Sequence, residues 1–425
     1  MSTQHSRRQI WAWAFYDWAN SGFATVVLAG FFPLVFQDYW SAAVEPAQAN
    51  LRLGLGNGAA SLCIVLLAPL IGAMADRTGT KKRALLAFAL LGALLTAGFA
   101  LVPQGQWLWA LGLFVLATLG FMAANLFYDA LLISVAPRQR WHAVSGLGFA
   151  LGYLGGGLLY LGCVVAVLRP EWLGFAGAIH AALAAFVATG VWWAVFSLPL
   201  AVSVSEPPAL QANRAALAGG LQQVWQTLTH LRANRPVWMF LIAYWLYIDA
   251  LGTTIRMAVA YGRSLGFAQA DLIVALLITQ FVGFPAALLM GWLGQRIGPR
   301  RGILLGIGVY IVICVWAAFI QAPWEFYAIA ALVGLVQGGV QALSRSLYAG
   351  LIPPARAGEF FGFYNLLGKF AALIGPPLFG LFGVWFGDVR YSMLALILLF
   401  IAGALMLTRV DLQEANNDAG AAPNR

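Results

Sequence analysis

Ionisable side chains interrupt the long apolar runs of this sequence, and they are the residues best placed to do chemistry. Asp17 and Asp129 lie in such runs in the first half of the chain, and Arg345 and Lys369 lie in such runs in the second half. A charge in the middle of a lipid bilayer costs several kcal/mol unless it is paired or hydrated. We therefore treat all four as candidates for binding an ionic solute or carrying a proton.

Polar neighbours accompany these charges at the spacing of one helical turn. Side chains three or four positions apart lie on the same face of a helix. The sequence contains four such groups, which are Asp17 with Asn20 and Ser21, Asp129 with Asn125, Arg345 with Gln341, and Lys369 with Asn365. The pattern predicts a cavity that is acidic in the first half of the chain and basic in the second. Such a cavity suits a zwitterion, or an organic anion carried with protons, and we expect Asp17 or Asp129 to carry the proton.

Each intramembrane charge also has a structural explanation that the sequence leaves open. Hydroxyl groups of neighbouring helices can satisfy a buried Asp, and the long stems of Arg345 and Lys369 can reach the membrane surface. Asp249 and Arg256 are seven positions apart, which is two turns on one helical face. For this last pair, a structural ion pair and a substrate contact are about equally compatible with the sequence.

The composition indicates that these charges belong to a membrane protein. The chain has 425 residues, of which 62% are hydrophobic and 9% are charged, whereas about a quarter of the residues in a typical soluble domain are charged. This excludes a soluble enzyme, a secreted disulfide scaffold and a disordered chain. The net charge of +9 does not indicate a nucleic-acid partner, because the basic residues gather in loops on one side of the predicted membrane.

Twelve apolar runs are long enough to span a bilayer, which takes about 20 residues per helix. They are residues 11–36, 53–75, 84–102, 107–135, 145–167, 176–202, 238–260, 272–294, 302–321, 326–351, 360–386 and 391–408. Backbone groups inside the hydrocarbon must satisfy one another, so we predict that these runs are helices.

The placement of lysine and arginine predicts the orientation. Seventeen of the 24 fall on the side of the N-terminus, four fall on the opposite side, and three fall inside spans. Since cytoplasmic loops carry the excess of basic residues, we expect both termini in the cytoplasm. Short loops and the absence of a transit segment favour a bacterial inner (plasma) membrane over a vacuolar one.

Two features divide the chain into related halves. The longest interruption, residues 203–237, separates six spans from six, and its apolar residues between 217 and 231 have the spacing of an amphipathic interfacial helix. The loops GAMADRTGTKKR (72–83) and GWLGQRIGPRRG (291–302) match at an offset of 219 residues. We predict six-helix bundles over residues 1–202 and 238–425, joined by this linker. Paired six-helix halves around a midplane site are a known architecture of secondary transporters.

The first of these loops contains the pattern G-x-x-x-D-R-x-G-x-K-K, and with twelve spans around it the chain resembles the major facilitator superfamily. The segments AFYDWANSGF (14–23), QALSRSLYAGLIP (341–353) and FFGFYNLLGKFAALIGPPLFG (360–380) are similar to the branch that includes vacuolar amino-acid effluxers and uncharacterised bacterial carriers. The resemblance implies an all-α integral membrane protein with twelve transmembrane helices in two pseudo-symmetric six-helix bundles. It also implies alternating access to a central site.

A gating loop is part of what the resemblance implies. Its candidate residues are Gly72, Asp76, Arg77, Gly79, Lys81 and Lys82, with Arg296 from the second copy and Glu359 at the start of span 11. Because a helix N-terminus carries partial positive charge, we expect Asp76 to lie against the start of span 11 when the cytoplasmic side is closed. We also expect Glu359 to pair with Arg77.

The sequence therefore predicts a proton-coupled secondary transporter of a small zwitterionic or anionic organic solute, amino-acid-like by resemblance. An exporter of amphiphilic or lipid-like compounds is the alternative within transport. A membrane-embedded enzyme is disfavoured, because the four His residues are scattered and no metal or nucleophile constellation is present. A receptor or scaffold without transport is a further alternative. We expect a monomer in the lipid bilayer with a solute and protons as partners, and no cofactor.

Overall fold

The computed structural model describes residues 6–207, 234–370 and 374–410, and within these ranges every regular element is a helix. Ten of the described helices are long and apolar enough to cross a membrane. The two remaining predicted spans contain shorter helices, which are Ala357–Phe370 and Gly375–Phe386 in the eleventh and Ser392–Thr408 in the twelfth. The twelve helical spans predicted from the sequence are confirmed.

The membrane helices of the first half are α1 (Arg7–Trp40), α2 (Pro46–Thr78), α3 (Lys81–Gly98), α4 (Trp107–Val135), α5 (Trp141–Leu168) and α6 (Ala178–Ser203). Those of the second half are α7 (Arg235–Ser264), α8 (Gln269–Ile297), α9 (Pro299–Ala317), α10 (Pro323–Leu351), α11 (Ala357–Phe370), α12 (Gly375–Phe386) and α13 (Ser392–Thr408). Helices α11 and α12 together form the eleventh span. Short 3-10 turns lie at Phe99–Leu101, Arg138–Arg140, Pro170–Leu173, Pro354–Arg356 and Val389–Tyr391.

Helix α1 carries the first group of predicted site residues and changes its hydrogen bonding along its length. Ser6 caps its start, since the Ser6 hydroxyl accepts a hydrogen bond from the Gln9 backbone N–H at 3.2 Å. The stretches Phe23–Phe31 and Phe36–Trp40 are π-helical. Such widened turns often occur at functional sites. The π-helical part begins at Phe23, directly after the α-helical stretch that contains Asp17, Asn20 and Ser21 and ends at Gly22.

The internal duplication is visible in how each half holds its last span. Lys82, in the first copy of the repeated loop, donates through Nζ to the carbonyl oxygens of Ala201 and Val204 at 2.9 and 2.8 Å. Arg300, in the second copy, donates through Nη1 to the carbonyl oxygen of Val410 at 3.0 Å. A cation at a helix C-terminus satisfies otherwise unpaired carbonyl groups and is favoured by the helix dipole. The repeated basic cluster therefore does the same structural job in both halves.

The two halves meet at glycines from the duplicated segments. A Cβ atom added to Gly146 of α5 would lie 3.0 Å from the Cα atom of Gly291 of α8, and one added to Gly358 of α11 would lie 2.8 Å from the carbonyl oxygen of Gly72 of α2. Helix backbones approach this closely only where side chains are absent. Gly72 and Gly291 are equivalent positions of the repeat, and each makes a close backbone contact with the opposite half.

The linker between the halves is only partly described. Glu206, near the end of the first described range, accepts hydrogen bonds from the backbone N–H groups of Lys82 and Arg83 at 2.7 and 3.2 Å, which ties the start of the linker to α3. The predicted amphipathic helix between 217 and 231 lies outside the described residues. The division at 203–237 stays a prediction.

Candidate functional site

A cavity of about 410 Å³ lies between the two halves. Nine of the eleven residues proposed for substrate binding or proton coupling line it, namely Asp17, Asn20, Ser21, Asn125, Asp129, Arg256, Gln341, Arg345 and Asn365. They come from α1 and α4 in the first half and from α7, α10 and α11 in the second. The remaining two are Asp249, which is treated below, and Lys369, whose side chain lies outside the described part of the structure.

An ion pair joins the two halves at this cavity. Arg345 Nη1 of α10 lies 3.1 Å from Asp129 Oδ1 of α4, and both side chains are largely buried. Asn365 of α11 donates through Nδ2 to the other carboxylate oxygen of Asp129 at 3.1 Å. One acidic residue of the first half is thus held by a cation and an amide of the second half. Any motion that separates the halves here must break both contacts.

Further contacts hold the Arg345 guanidinium in place. Its Nε atom donates to the Ser145 hydroxyl at 2.9 Å, and its Nη2 atom donates to the Ser145 carbonyl oxygen at 3.0 Å. The guanidinium carbon lies 4.6 to 5.1 Å from the ring centroids of Trp13, Tyr128 and Phe149. Cations over aromatic faces are stabilised where water is excluded. Arg345 therefore does not reach the membrane surface, and its side chain is 3% exposed.

The Asp17 carboxylate has weaker contacts than that of Asp129. The Ser21 hydroxyl, one turn further along α1, donates to Asp17 Oδ1 at a long 3.4 Å. On the side of α5, a Cβ atom added to Gly152 would lie 3.1 Å from the Asp17 carboxyl carbon. Asp17 thus lies against a bare stretch of backbone on one side and lines the cavity on the other.

Glycines of α5 leave room for the polar groups of the site. A Cβ atom added to Gly148 would lie 3.3 Å from Arg345 Nη2. One added to Gly152 would lie 3.2 Å from Asp17 Oδ1, and one added to Gly156 would lie 3.3 Å from Gln280 Nε2. Four-residue spacing places the three glycines on one face of α5. Helix packing alone accounts for such glycines at the level of sequence, but here each one faces a polar side chain.

Polar side chains continue along the cavity from one half to the other. Asn20 donates through Nδ2 to the Asn125 side-chain oxygen at 2.6 Å within the first half. Gln280 of α8 donates through Nε2 to the Thr25 hydroxyl of α1 at 2.9 Å, across the two halves. The Asn20–Asn125 pair fixes α1 against α4, and the Gln280 contact joins α1 to α8.

Sequence reasoning missed three polar residues of this site. Gln280 and Gln337 line the cavity, and Ser145 binds Arg345. Helical spacing could have identified Gln337. It precedes Gln341 by four positions, and Gln341 precedes Arg345 by four positions. Ser145 and Gln280 carry no such signal, since their partners lie on distant segments of the chain.

Asp249 has a structural role that the sequence did not suggest. It is absent from the described lining of the cavity. Its Oδ2 atom accepts hydrogen bonds from the backbone N–H groups of Ile374 and Gly375, both at 3.0 Å. These groups begin α12, and the first N–H groups of a helix have no partner within it. Asp249 therefore caps the second part of the eleventh span, whereas Arg256 lines the cavity.

The side of the membrane at which α1 begins, called the basic side below, is closed by contacts between the halves. Asp76 accepts hydrogen bonds from the backbone N–H groups of Gly358 and Glu359, at 3.0 and 2.8 Å, at the start of α11. Lys81 Nζ lies 2.5 Å from the same carboxylate. The arrangement is the one expected of a closed gating loop.

The other gating residues lie around this contact. Gly79 ends α2 with φ of 66°, a left-handed conformation that favours glycine. A Glu359 carboxylate oxygen lies 3.0 Å from Nη2 of Arg356 in the preceding 3-10 turn, and its pairing with Arg77 stays a prediction. Arg296 stacks on Trp292, with 4.1 Å from its guanidinium carbon to the ring centroid.

Additional contacts reinforce the closure. Arg138 donates through Nη2 to the Gly350 carbonyl oxygen at 3.1 Å, and His142 Nδ1 lies 2.8 Å from the Ser346 hydroxyl. Both pairs join the first half to the second. In the described ranges, no group of three or more His, Cys, Asp or Glu residues has the geometry of a metal site.

Comparisons with known proteins agree with this architecture. The family model described as "Vacuole effluxer Atg22 like" matches residues 55–139 and 133–420. A Bacillus subtilis (strain 168) protein, "Uncharacterized MFS-type transporter YxiO", is 34% identical over 415 residues that cover 96% of this chain and 97% of the relative. Autophagy-related protein 22 of Coccidioides immitis (strain RS) is 23% identical, over 96% of this chain and 87% of the relative.

Solved structures share the fold at low sequence identity. The proton:xylose symporter XylE superposes with a TM-score of 0.75 at 13% identity, over 97% of both chains. The transporter FucP in its outward conformation gives 0.71 at 12% identity, over 95% of this chain and 98% of its own. The human organic anion transporter MFSD10 gives 0.69 at 14% identity, over 94% and 99%. FucP and XylE are described as transporters of the major facilitator superfamily, and MFSD10 has the same fold.

Proposed function

Since this chain belongs to the Atg22-like branch of the major facilitator superfamily, and is therefore a membrane transporter and not an enzyme, we propose that it carries a small zwitterionic or anionic organic solute. The solute is amino-acid-like, and its movement by alternating access is coupled to protons. The observation that carries the proposal is the pair Asp129–Arg345 in a cavity shared by both halves.

The charges around the cavity support a solute with separated charges. Asp17 lines the cavity, and the Ser21 hydroxyl donates to it at a long 3.4 Å, so it is the group to which we assign a substrate ammonium. Arg345 and Arg256 are the cations of the lining whose side chains the structure describes. A substrate carboxylate binds one of them, and at Arg345 it replaces the carboxylate of Asp129.

Proton coupling follows from this exchange. When Asp129 takes a proton, it loses its charge and releases one face of Arg345, which is then open to a substrate carboxylate. The proton enters the Asp129 carboxyl group, and the substrate anion restores charge balance at Arg345. The halves then separate on the basic side, because both Asp129 contacts cross between them.

The test begins with a screen of the purified carrier for thermal stabilisation by amino acids and organic acids. A stabilising solute is then loaded into proteoliposomes, and its flux is followed with and without a pH gradient. We expect flux that the gradient accelerates. Absence of solute flux would refute transport of this class, and flux that ignores the gradient would refute proton coupling.

The alternative, an exporter of amphiphilic or lipid-like compounds, makes a different prediction. For that function, Arg345→Ala would have little effect on the binding of carboxylated solutes. For the function proposed here, the same substitution abolishes the binding of those solutes. Solute binding measured by isothermal titration calorimetry separates the two.

Orientation and setting are also part of the proposal. The basic side faces the cytoplasm, both termini lie there, and the carrier works as a monomer in a bacterial inner membrane. The excess of lysine and arginine on this side supports the orientation. Reaction of cysteines introduced at the exposed positions Arg301 and Arg409 with an impermeant reagent checks it, because intact cells should protect both positions.

A further inference from the structure

A second cavity, of about 280 Å³, lies outside the transport path at the basic side. It is formed by the beginning of α1 and the beginning of α5, and its lining includes two arginines, Arg7 and Arg140. We infer that this cavity binds the head group of an anionic phospholipid from the surrounding bilayer. The inference does not depend on the identity of the transported solute.

The two arginines that line the cavity favour the binding of an anion. Within the described residues, the guanidinium groups of Arg7 and Arg140 have no ion-pair or hydrogen-bond partner, and no carboxylate lines the cavity. Neighbouring arginines differ, since Arg8 donates to the Ser203 hydroxyl at 3.1 Å and Arg138 donates to the Gly350 carbonyl oxygen. Both arginines are exposed to solvent, and a phosphate diester can bind such guanidinium groups through charge-assisted hydrogen bonds.

The cavity has charged and apolar residues along its walls, and this favours the binding of an amphiphile. Along α1, Trp11 follows Arg7 by one turn and is 49% exposed. Along α5, Leu147 follows Arg140 by seven residues, which is about 10 Å deeper at ~1.5 Å per residue. Each wall therefore begins with a cation at the membrane surface and becomes apolar toward the hydrocarbon. Tryptophan is a common anchor at this level of the bilayer.

The site is suited to a lipid more than to a free anion. A free phosphate ion would use the two arginines and leave the apolar lower wall uncovered, whereas a phospholipid covers both. Basic pockets between transmembrane helices are known to hold anionic head groups. Both walls belong to the first half, so a bound lipid can stay in place while the two halves move relative to each other.

The test is a lipid titration of the purified, detergent-solubilised carrier, followed by native mass spectrometry. Phosphatidylglycerol is compared with phosphatidylcholine of the same acyl chains. We expect the first phosphatidylglycerol to bind at least tenfold more tightly than phosphatidylcholine. In the double variant Arg7→Gln/Arg140→Gln, its dissociation constant rises roughly 25-fold, because each arginine near an anionic surface contributes about fivefold.

A charge-matched control separates this site from general attraction. The double variant Arg301→Gln/Arg409→Gln removes two exposed cations from the same side of the membrane but leaves the cavity intact. It should keep the wild-type affinity for phosphatidylglycerol. Equal loss in both double variants would overturn the inference, and so would equal binding of the two lipids by the wild-type carrier.

Two further arms complete the experiment. Millimolar inorganic phosphate should leave the bound lipid in place, and full displacement would show a site for a free anion and refute the lipid. Thermal melting checks that each variant is folded. If the double variant at the cavity does not fold, the single variants Arg7→Gln and Arg140→Gln are titrated, and each should weaken the first lipid severalfold.

Discussion

At the scale of single residues, the site is governed by how strongly each carboxylate is held. Asp129 is bound from the opposite half by Arg345 and Asn365, whereas the Ser21 hydroxyl of its own helix donates to Asp17 at a long 3.4 Å. The two acids therefore do different work under the proposed function. Asp129 exchanges a cation for a proton as the halves move, and Asp17 is available to the solute throughout.

The first prediction concerns Asp129. Asp129→Asn keeps the size of the side chain and can still accept a hydrogen bond from Arg345, but it cannot exchange a proton at working pH. We expect uptake driven by a pH gradient to fall to background in proteoliposomes, while exchange of labelled for unlabelled solute continues. Asparagine is preferred to alanine, because its side-chain oxygen can still accept a hydrogen bond from Arg345, whereas alanine leaves that buried donor without an acceptor.

Ser145→Ala provides the control for Asp129. It removes another contact of Arg345 but no titratable group, so gradient-driven uptake should persist in this variant. If Asp129→Asn transports solute against a gradient as well as the wild-type carrier, Asp129 is not the coupling residue. Should Asp17→Asn also leave gradient-driven uptake intact, proton coupling through either acid is excluded.

At the scale of helices, two devices position the site. The glycine face of α5 admits the polar side chains of α1, α8 and α10, and Asp249 of α7 caps the start of α12. The first device makes room for these side chains, and the second fixes the start of α12. Gly152 of the glycine face lines the cavity, so changes to the first device should affect solute binding. Asp249 is absent from the described lining, so changes to the second device should affect stability.

The second prediction concerns the glycine face. A Cβ atom at Gly152 would lie 2.6 Å from the Ser21 hydroxyl and 3.1 Å from the Asp17 carboxyl carbon. Gly152→Ala should therefore displace both groups at a cost of about 1–3 kcal/mol and weaken solute binding in calorimetry. Gly162→Ala is the matched control on the same helix, since nothing lies within 4 Å of its added Cβ atom. Equal affinities in the two variants would contradict this role for Gly152.

The third prediction concerns the cap on α12. Asp249→Ala removes the acceptor for two backbone N–H groups and should destabilise the protein by about 1–2 kcal/mol, seen as a lower melting temperature. Asp249→Asn should lose much less stability, because asparagine is as good a helix cap as aspartate. Both variants should bind solute with wild-type affinity when folded. A large loss of affinity in Asp249→Asn would instead place Asp249 in the binding site.

At the scale of the whole molecule, the structure is closed on the basic side. The contacts that close it join the halves through Asp76 with the start of α11 and through glycine pairs of the repeat. Alternating access requires these contacts to break together with the Asp129 contacts. The distribution between the two states should therefore respond to any change that weakens the closed side.

The fourth prediction uses the close approach of Gly72 and Gly358. A larger residue at Gly358 cannot fit against the Gly72 carbonyl group, so Gly358→Leu should shift the population toward the state that is open on the basic side. Spin labels are placed at the exposed positions Arg83 and Arg301. The distance between the labels, measured by pulsed electron paramagnetic resonance, reports the separation of the halves. Gly308→Leu, where nothing lies within 4 Å of the added Cβ atom, should leave the distances unchanged. Unchanged distances in Gly358→Leu would argue against this contact as part of the gate.

The sequence by itself determined the membrane class, the twelve spans and the duplicated halves, and it predicted most of the charged residues that line the cavity. These properties are local, because spanning length and helical spacing are read from neighbouring residues. Helical spacing identified nine residues that line the cavity, although only the packing of five helices brings them together. The spacing rule that groups Asp17 with Asn20 and Ser21 needs no knowledge of the partner helices.

Only the tertiary structure decided which charges are partners. Asp129 and Arg345 are 216 positions apart, and Asp249 meets backbone groups 125 positions away. Helical spacing relates residues within one turn or two of the same helix. It therefore paired Asp249 with Arg256 and could not predict the contact of Asp249 with the start of α12. The lipid cavity at Arg7 and Arg140 has the same origin, since two distant helix beginnings create it only when they pack side by side.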